Sequence, residues 1–307
     1  MDLSLLRRRF LSCSPVGEIW TKDIIKESTQ QDILLSTVLC ECLKGRPLSQ
    51  SYTNNFMKTF MHKIEEFGGE IYDCTYEAYG DILSLSAPTV EHRHYDLSDT
   101  TICLQESGSL VAEGTTGLKT WQASQYLAEY LLANKSLVEG KKVLELGCGL
   151  GFLGLAICAA CRCGSYILSD HHSSVLQKLH ANIAINEEKL LCIPNVEEID
   201  WNIASAAASS PSQLHGLDII LAADVVFDKE LIPSLVKCIE KLVSSNSQCQ
   251  VLIASTIRNP DTYASFSQAV GDTGFQRKQV VSNATKLFVY DESSEIVIDR
   301  VSKASFS

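Results

Sequence analysis

Apolar residues recur with two different periods along this chain. From Lys141 onward, compact apolar runs at 142–146, 166–169, 217–222 and 250–255 predict buried strands. Between them, apolar spacings of three and four predict helices at 152–162, 173–186 and 229–244. Strands alternating with helices imply a parallel sheet covered on both faces, an α/β, doubly wound, Rossmann-like architecture. The pattern changes near the end. The runs 275–281, 286–290 and 295–301 follow one another without a helix and predict antiparallel strands that close the sheet.

Residues 1 to about 80 carry helical periodicity and few strand signals, with Ile24, Ile33, Leu34 and Val38 followed by Phe56, Phe60 and Ile64. Gly45-Arg46-Pro47 divides this region, and Gly68-Gly69 ends its second half. Such a region either covers apolar surface as a helical appendage or recognises a partner. Its charges, among them Arg7, Arg8, Arg9, Lys22, Lys26 and Glu27, suit a docking surface. Short β-prone runs at 94–97, 101–106 and 110–111 predict a small hairpin or meander, and a loop at Gly114–Gly117 precedes a helical stretch from Trp121 to Ala133. These changes divide the chain into a helical region, 1–90, and an α/β domain, 91–307. The Ala/Ser-rich tract from Ala204 to Ser212 predicts a loop.

The most specific signal is Val143-Leu144-Glu145-Leu146-Gly147-Cys148-Gly149-Leu150-Gly151-Phe152-Leu153-Gly154, a buried strand entering a glycine turn and then a helix. Glycine lets backbone turn tightly and approach a ligand closely. Gly149, Gly151 and Gly154 fit the dinucleotide spacing G-x-G-x-x-G, and Asp170 follows at the distance of a ribose-binding carboxylate. Both NAD and S-adenosylmethionine carry that ribose, so Asp170 does not separate them. Glu145 favours the second, because a carboxylate at the turn repels a pyrophosphate and suits the sulfonium and ammonium of the methyl donor. Alternatives stay open for single residues. Asp170 could be a helix N-cap, as could Asp224, and Trp121 and Trp201 could be core packing rather than ligand walls.

The net charge of −11 opposes a broad electrostatic grip on nucleic acid. No apolar run approaches the roughly 20 residues of a membrane span, and the arginines after the first apolar patch do not form a secretory signal. The twelve cysteines are therefore expected as reduced thiols in a cytoplasmic protein. Cys158, Cys161 and Cys163 form one cluster where a structural zinc site wants two, so no metal is expected.

Taken together, Gly114-Thr115-Thr116-Gly117-Leu118, Thr120-Trp121, the Val143–Gly149 strand and turn, Ile199-Asp200-Trp201, Ala222-Ala223-Asp224-Val225-Val226-Phe227 and Arg258-Asn259-Pro260 resemble the seven-β-strand methyltransferase-like protein lysine methyltransferases. The likeness is strong over about 93–300, looser before it, and nearest to members that modify eukaryotic elongation factor 2. It implies a class I methyltransferase fold with a seven-stranded sheet. It also implies a protein substrate, elongation factor 2, without direct contact to nucleic acid or membrane. S-adenosyl-L-methionine is the implied donor and S-adenosyl-L-homocysteine the product, held by Trp121, Gly147, Cys148, Gly149, Asp170, Trp201 and Ala223 alongside Glu145. The implied catalytic pair is Asp224, which orients the lysine amine, and Phe227, which lines its channel. Phe227 stands where the nearest members carry tyrosine, so it keeps an aromatic wall and lacks the hydroxyl. Asp224-Val225-Val226-Phe227 also lacks the prolines of nucleic-acid amino-methylating enzymes. A small-molecule methyltransferase and a catalytically inactive donor-binding scaffold remain as other readings of the same residues.

Overall fold

The computed structural model describes residues 3–20, 22–97, 99–106, 115–206, 214–244, 246 and 248–303. The predicted strand at 110–111, Gly114 and most of the Ala204–Ser212 tract lie outside these. The chain divides into two compact units, Met1–Ser107 and Gly108–Ser307.

The first unit holds α1 (Leu3–Leu11), α2 (Lys22–Glu27), α3 (Gln30–Ser36), α4 (Gln50–Glu66) and α5 (Asp73–Ser84). An antiparallel pair follows, β1 (His92–Asp96) and β2 (Thr101–Gln105), with Tyr95 opposite Ile102. Its core is aromatic. Trp20 stacks on Phe60 at 4.9 Å between ring centroids, and Phe10 meets Phe56 at 4.4 Å, all four being buried. Thr29 caps α3 by accepting from the Asp32 amide, which satisfies a donor that helix geometry leaves open. Arg7 corrects an expectation. Instead of a free surface charge it is a tie between elements, with Nε 2.9 Å from Asp96 on β1 and an Nη1 donated to the Cys40 sulfur.

The second unit begins with α6 (Gln122–Ala133) and then alternates β3 (Lys142–Leu146), α7 (Phe152–Ala160), β4 (Ser165–Asp170), α8 (Ser173–Asn186), β5 (Asn195–Glu198), α9 (Trp201–Ala206), β6 (Ile219–Ala223), α10 (Ile232–Val243), β7 (Gln250–Thr256) and α11 (Pro260–Asp272), ending in β8 (Phe275–Val280) and β9 (Ile296–Lys303). The seven strands lie in the order β5-β4-β3-β6-β7-β9-β8. The first five run parallel, while β9 is antiparallel to both β7 and β8. The sheet is the Rossmann-like, doubly wound α/β arrangement that the alternating pattern predicts. Leu144 pairs with Ile167 on one side and Ile220 on the other, so β3 is central and buried. The chain leaves β3 toward β4 and returns on the far side to β6. That reversal opens a crevice at the carboxyl ends of β3 and β6, where ligands of such sheets bind.

Two helices show why the sheet is covered. Helix α7 is buried from Phe152 to Ala159, as a helix apolar on every side must be. Helix α10 buries Ile232, Leu235, Val236, Ile239, Leu242 and Val243, one stripe at spacings of three and four. Asn259 caps α11 through the amides of Asp261 and Thr262, ahead of Pro260 at the first helical turn.

The strand expected at 286–290 does not form. Its backbone is taken by a side chain: Glu129 on α6 accepts from the Leu287 amide at 2.7 Å, the Phe288 amide at 2.8 Å and the Tyr290 hydroxyl at 2.7 Å. Buried amides need an acceptor, and a carboxylate supplies one as a ladder would. None of the twelve cysteines, all of them described, forms a disulfide. Among the described residues no cluster of three or more His, Cys, Asp or Glu is placed to hold a metal, and no helix is long and apolar enough to cross a membrane.

Candidate active site

The crevice encloses about 1030 Å³ of empty space, part of it open to solvent. It is lined by every residue singled out from the sequence: Trp121, Glu145, Gly147, Cys148, Gly149, Asp170, Trp201, Ala223, Asp224 and Phe227. Its floor is the turn after β3. Gly147 and Gly149 have φ of +64° and +53°, the left-handed region that side chains disfavour. A Cβ at Gly147 would lie 2.8 Å from Val225 Cγ1 and 3.2 Å from the Trp201 ring, and one at Gly149 would lie 2.9 Å from the Gly117 carbonyl oxygen. The Cys148 amide donates to the Ser169 carbonyl at 2.9 Å and ties the turn to β4. Its thiol is buried, and burial pushes it well above the usual thiol range.

Asp170 ends β4 and faces the turn. One carboxylate oxygen accepts from the Gly149 amide at 3.2 Å, and the other accepts from the amides of His171 and His172. It is not the N-cap of α8, a position held by His172. Trp201 opens α9 with its ring beside Gly147. Trp121 precedes α6, half-buried, and donates from Nε1 to the Thr116 carbonyl at 3.0 Å. Neither tryptophan is fully buried, and Trp201 packs in part against the core as well as lining the cleft.

Glu145 lines the cleft with a carboxylate that already has partners. Its carboxylate accepts from the Tyr166 hydroxyl at 2.7 Å, with the Gly154 amide also donating to it. Burial raises its pKa from 4.5 to about 8, which disfavours its charged form near neutral pH. Stability should respond. Below 4.5 folded and unfolded chains both keep the proton; between 4.5 and 8 only the unfolded chain releases it, so stability falls as pH rises through that window. Glu145→Gln removes the penalty and keeps an acceptor for Tyr166. Its melting temperature relative to the parent should therefore climb from pH 5 to pH 8, reflecting roughly 1.4 kcal/mol for each pH unit at most. A constant difference across that range would refute a neutral Glu145.

Asp224 follows β6 with φ +55°, one of two non-glycine residues in the left-handed region among those described. Aspartate tolerates that conformation better than most residues, and strain of this kind gathers at functional sites. Its amide donates to Ala254 on β7, and the turn aims the carboxylate at the end of the same strand. There Thr256 donates from its amide and its hydroxyl, each at 3.0 Å, and Arg258 donates from Nη1 at 3.3 Å and Nη2 at 3.2 Å. It is not the N-cap of α10, which is Leu231. Phe227 is 55% exposed at the mouth, an unusual place for a phenylalanine unless something is to contact it.

The lysine methyltransferase family matches residues 99–271, more than half of the chain. The chain belongs to that family. It is 35% identical over 292 residues to protein-lysine N-methyltransferase EEF2KMT of Bos taurus, covering 87% of this chain and 84% of that one. It is 34% identical over 316 residues to EEF2KMT of Homo sapiens, covering 96% and 95%. A third relative, protein-lysine N-methyltransferase EFM3 of Chaetomium thermophilum, is 37% identical over 178 residues, covering 57% of this chain and 53% of its own. This protein-lysine N-methyltransferase thus takes a protein as substrate and S-adenosyl-L-methionine as donor.

The lysine methyltransferase site contains residues that sequence reasoning gave no role. Gln122 on α6 meets Arg258 at 3.0 Å, while Asp224 is met by two residues, Thr256, the last of β7, and Arg258, two positions beyond it. The usable signal was positional: they stand at or just beyond the carboxyl end of the strand beside β6.

Proposed function

We propose that the chain methylates a lysine of eukaryotic elongation factor 2 in the cytoplasm, with this crevice as the active site. The observation that carries the proposal is the meeting, in one cleft, of a side-chain-free glycine turn with the Asp224–Phe227 motif. At Gly147 and Gly149 a Cβ would collide with Val225, the Trp201 ring and the Gly117 carbonyl, so only a turn without side chains can form this floor, and the cleft above it, bordered by Trp201 and Asp170, fits an adenosyl group that needs close backbone approach and a ribose acceptor. On that fit Trp121, Gly147, Cys148, Gly149, Asp170, Trp201 and Ala223 hold the donor, and Glu145 shapes the wall behind it. The donor supplies an electrophilic methyl group on a sulfonium.

The chain's own residues must present a neutral amine in line with that group. Lysine ordinarily loses its proton near pH 10.4, and a dry channel lowers that value. Asp224 accepts a hydrogen bond from the ε-amine and directs its lone pair, and alignment within roughly 3–3.5 Å supplies much of the rate. Phe227 borders the channel, where an aromatic face favours the cationic methylated product. Elongation factor 2 is favoured by the motif resemblance and by the names of the bovine and human relatives.

The first unit is proposed as a docking surface for the folded substrate. Exposed Tyr72, just before α5, and Tyr76 and Leu83 on it support this, since apolar groups grouped on a surface mark contact sites. So do the exposed Lys22 and the half-buried Arg8. Incubation of elongation factor 2 with the protein and donor, followed by mass spectrometry, should find methyl groups on one lysine. A chain carrying Arg8→Glu and Lys22→Glu should bind donor normally and lose several-fold in kcat/KM on the intact factor, because rim charges govern association. Failure to modify any lysine of the factor, with another protein labelled in cell extract, would reject this substrate. An unchanged kcat/KM in the double variant would reject docking through these charges.

A further inference from the structure

Asp224 has no acceptor position left for a substrate. A carboxylate offers about four lone-pair directions, and here Thr256 and Arg258 fill two each. A lysine amine can bond to Asp224 only if one of these donors departs. Thr256 cannot, because its amide belongs to β7, where Thr256 pairs with Ile296, and the residue is 5% exposed. Arg258 can. It lies beyond the strand end, and its side chain is 40% exposed.

The surroundings of Arg258 suit a cation that is held and then released. Its guanidinium carbon sits 4.8 Å from the centre of the Trp121 ring, and Nη2 also donates to Gln122 at 3.0 Å. Both contacts stabilise a guanidinium without Asp224. Asp291 is a second anion whose charge the guanidinium feels. Ser293 holds that carboxylate below its ordinary range, and the charge of Arg258 adds to the effect. Leaving Asp224 therefore does not strand the guanidinium.

We infer that Arg258 is a specificity-determining and positioning residue that occupies, on Asp224, the place of the substrate amine, and that a lysine enters by displacing it. The inference rests on the proposed role of Asp224. The bidentate pair satisfies a carboxylate that is only 6% exposed while no substrate is present. It also sets a threshold. A freely diffusing amine must compete with a tethered guanidinium, whereas a lysine delivered by a docked protein arrives at high effective concentration. Arg258 thereby selects for amines presented on a recognised surface.

The test uses the full chain with S-adenosyl-L-homocysteine bound and Nα-acetyl-lysine methylamide as probe, its dissociation constant read by NMR titration. Arg258→Met keeps the length and the contact with Trp121 but cannot donate to Asp224, and should bind the probe about tenfold more tightly than the parent. Arg258→Lys, which donates from a single point, should fall between the two. Asp224→Asn should weaken binding and erase the difference between Arg258 and Met. Equal or weaker binding by Arg258→Met, with dependence on Asp224 retained, overturns the inference and leaves the role of Asp224 standing. Binding indifferent to Asp224→Asn overturns the role of Asp224 itself. Two variants of graded chemistry at a part-exposed position keep the outcome legible should one of them fold poorly.

Discussion

Replacing Asp224 by alanine is expected to lower kcat for methyl transfer by roughly a hundredfold or more, with affinity for S-adenosyl-L-methionine changed by less than about threefold. The asymmetry follows from where its carboxylate points. The oxygens face Thr256 and Arg258 at the end of β7, whereas Asp170, at the end of β4, faces the glycine turn. Losing Asp224 removes the group that aligns the amine and leaves the donor-facing contacts in place. A separate cost arises in stability. The Thr256 amide and hydroxyl lose their acceptor in a residue that is almost fully buried, which costs about 1–3 kcal/mol. Rates must therefore be taken at a temperature where both proteins are folded. Asp224→Asn keeps an acceptor for the Thr256 amide and should still lose most of the rate. Near-parental kcat in both variants, measured in single turnover with donor saturating, would remove Asp224 from the chemistry.

The parts of this molecule that were legible from sequence are those whose burial is set locally. β3, β4, β6 and β7 are covered on both faces, so each reads as a mainly apolar run within a residue or two of its true limits. β5 lies at the edge and is half-exposed with the sequence Asn195-Val196-Glu197-Glu198, which carries no such signal. The run 286–290 has strand-like residues yet no partner strand, because Glu129, about 160 positions earlier, takes its amides. The ten chosen site residues converge on one cleft because doubly wound sheets gather loop residues at strand ends. What sequence did not convey was direction. Glu145 lies at the turn, but its carboxylate faces Tyr166; Arg7 looks like a surface charge, but its partner is Asp96. Arg258 was visible only as part of a motif. Its work depends on a meeting with Asp224 and Trp121 that no local pattern encodes.

Gly149→Ala should abolish the thermal stabilisation that S-adenosyl-L-methionine gives the parent protein. A ligand that prefers the folded state raises the melting temperature, by about 2.7 kcal/mol of stability when present at a hundred times its dissociation constant. The parent should show this with donor and with S-adenosyl-L-homocysteine, and should show nothing with NAD, whose pyrophosphate finds no cation among the residues of the turn. Alanine at 149 meets two obstacles. At φ +53° its side chain is disfavoured by about 1 kcal/mol, and its Cβ would stand 2.9 Å from the Gly117 oxygen, a backbone atom that cannot rotate aside. Relief requires the turn to separate from the 115–117 loop. Both line the cleft, and the Gly149 amide would be pulled from Asp170. One substitution thus disturbs the floor, the facing loop and the carboxylate proposed for the ribose, and donor affinity should fall by at least about a hundredfold, near 2.7 kcal/mol. The loss of intrinsic stability should be smaller, because the turn lies at the surface of the cleft and not in the core. Donor-induced stabilisation equal to the parent's in Gly149→Ala would show that the turn does not hold the donor, and stabilisation of the parent by NAD would assign the cleft to another ligand.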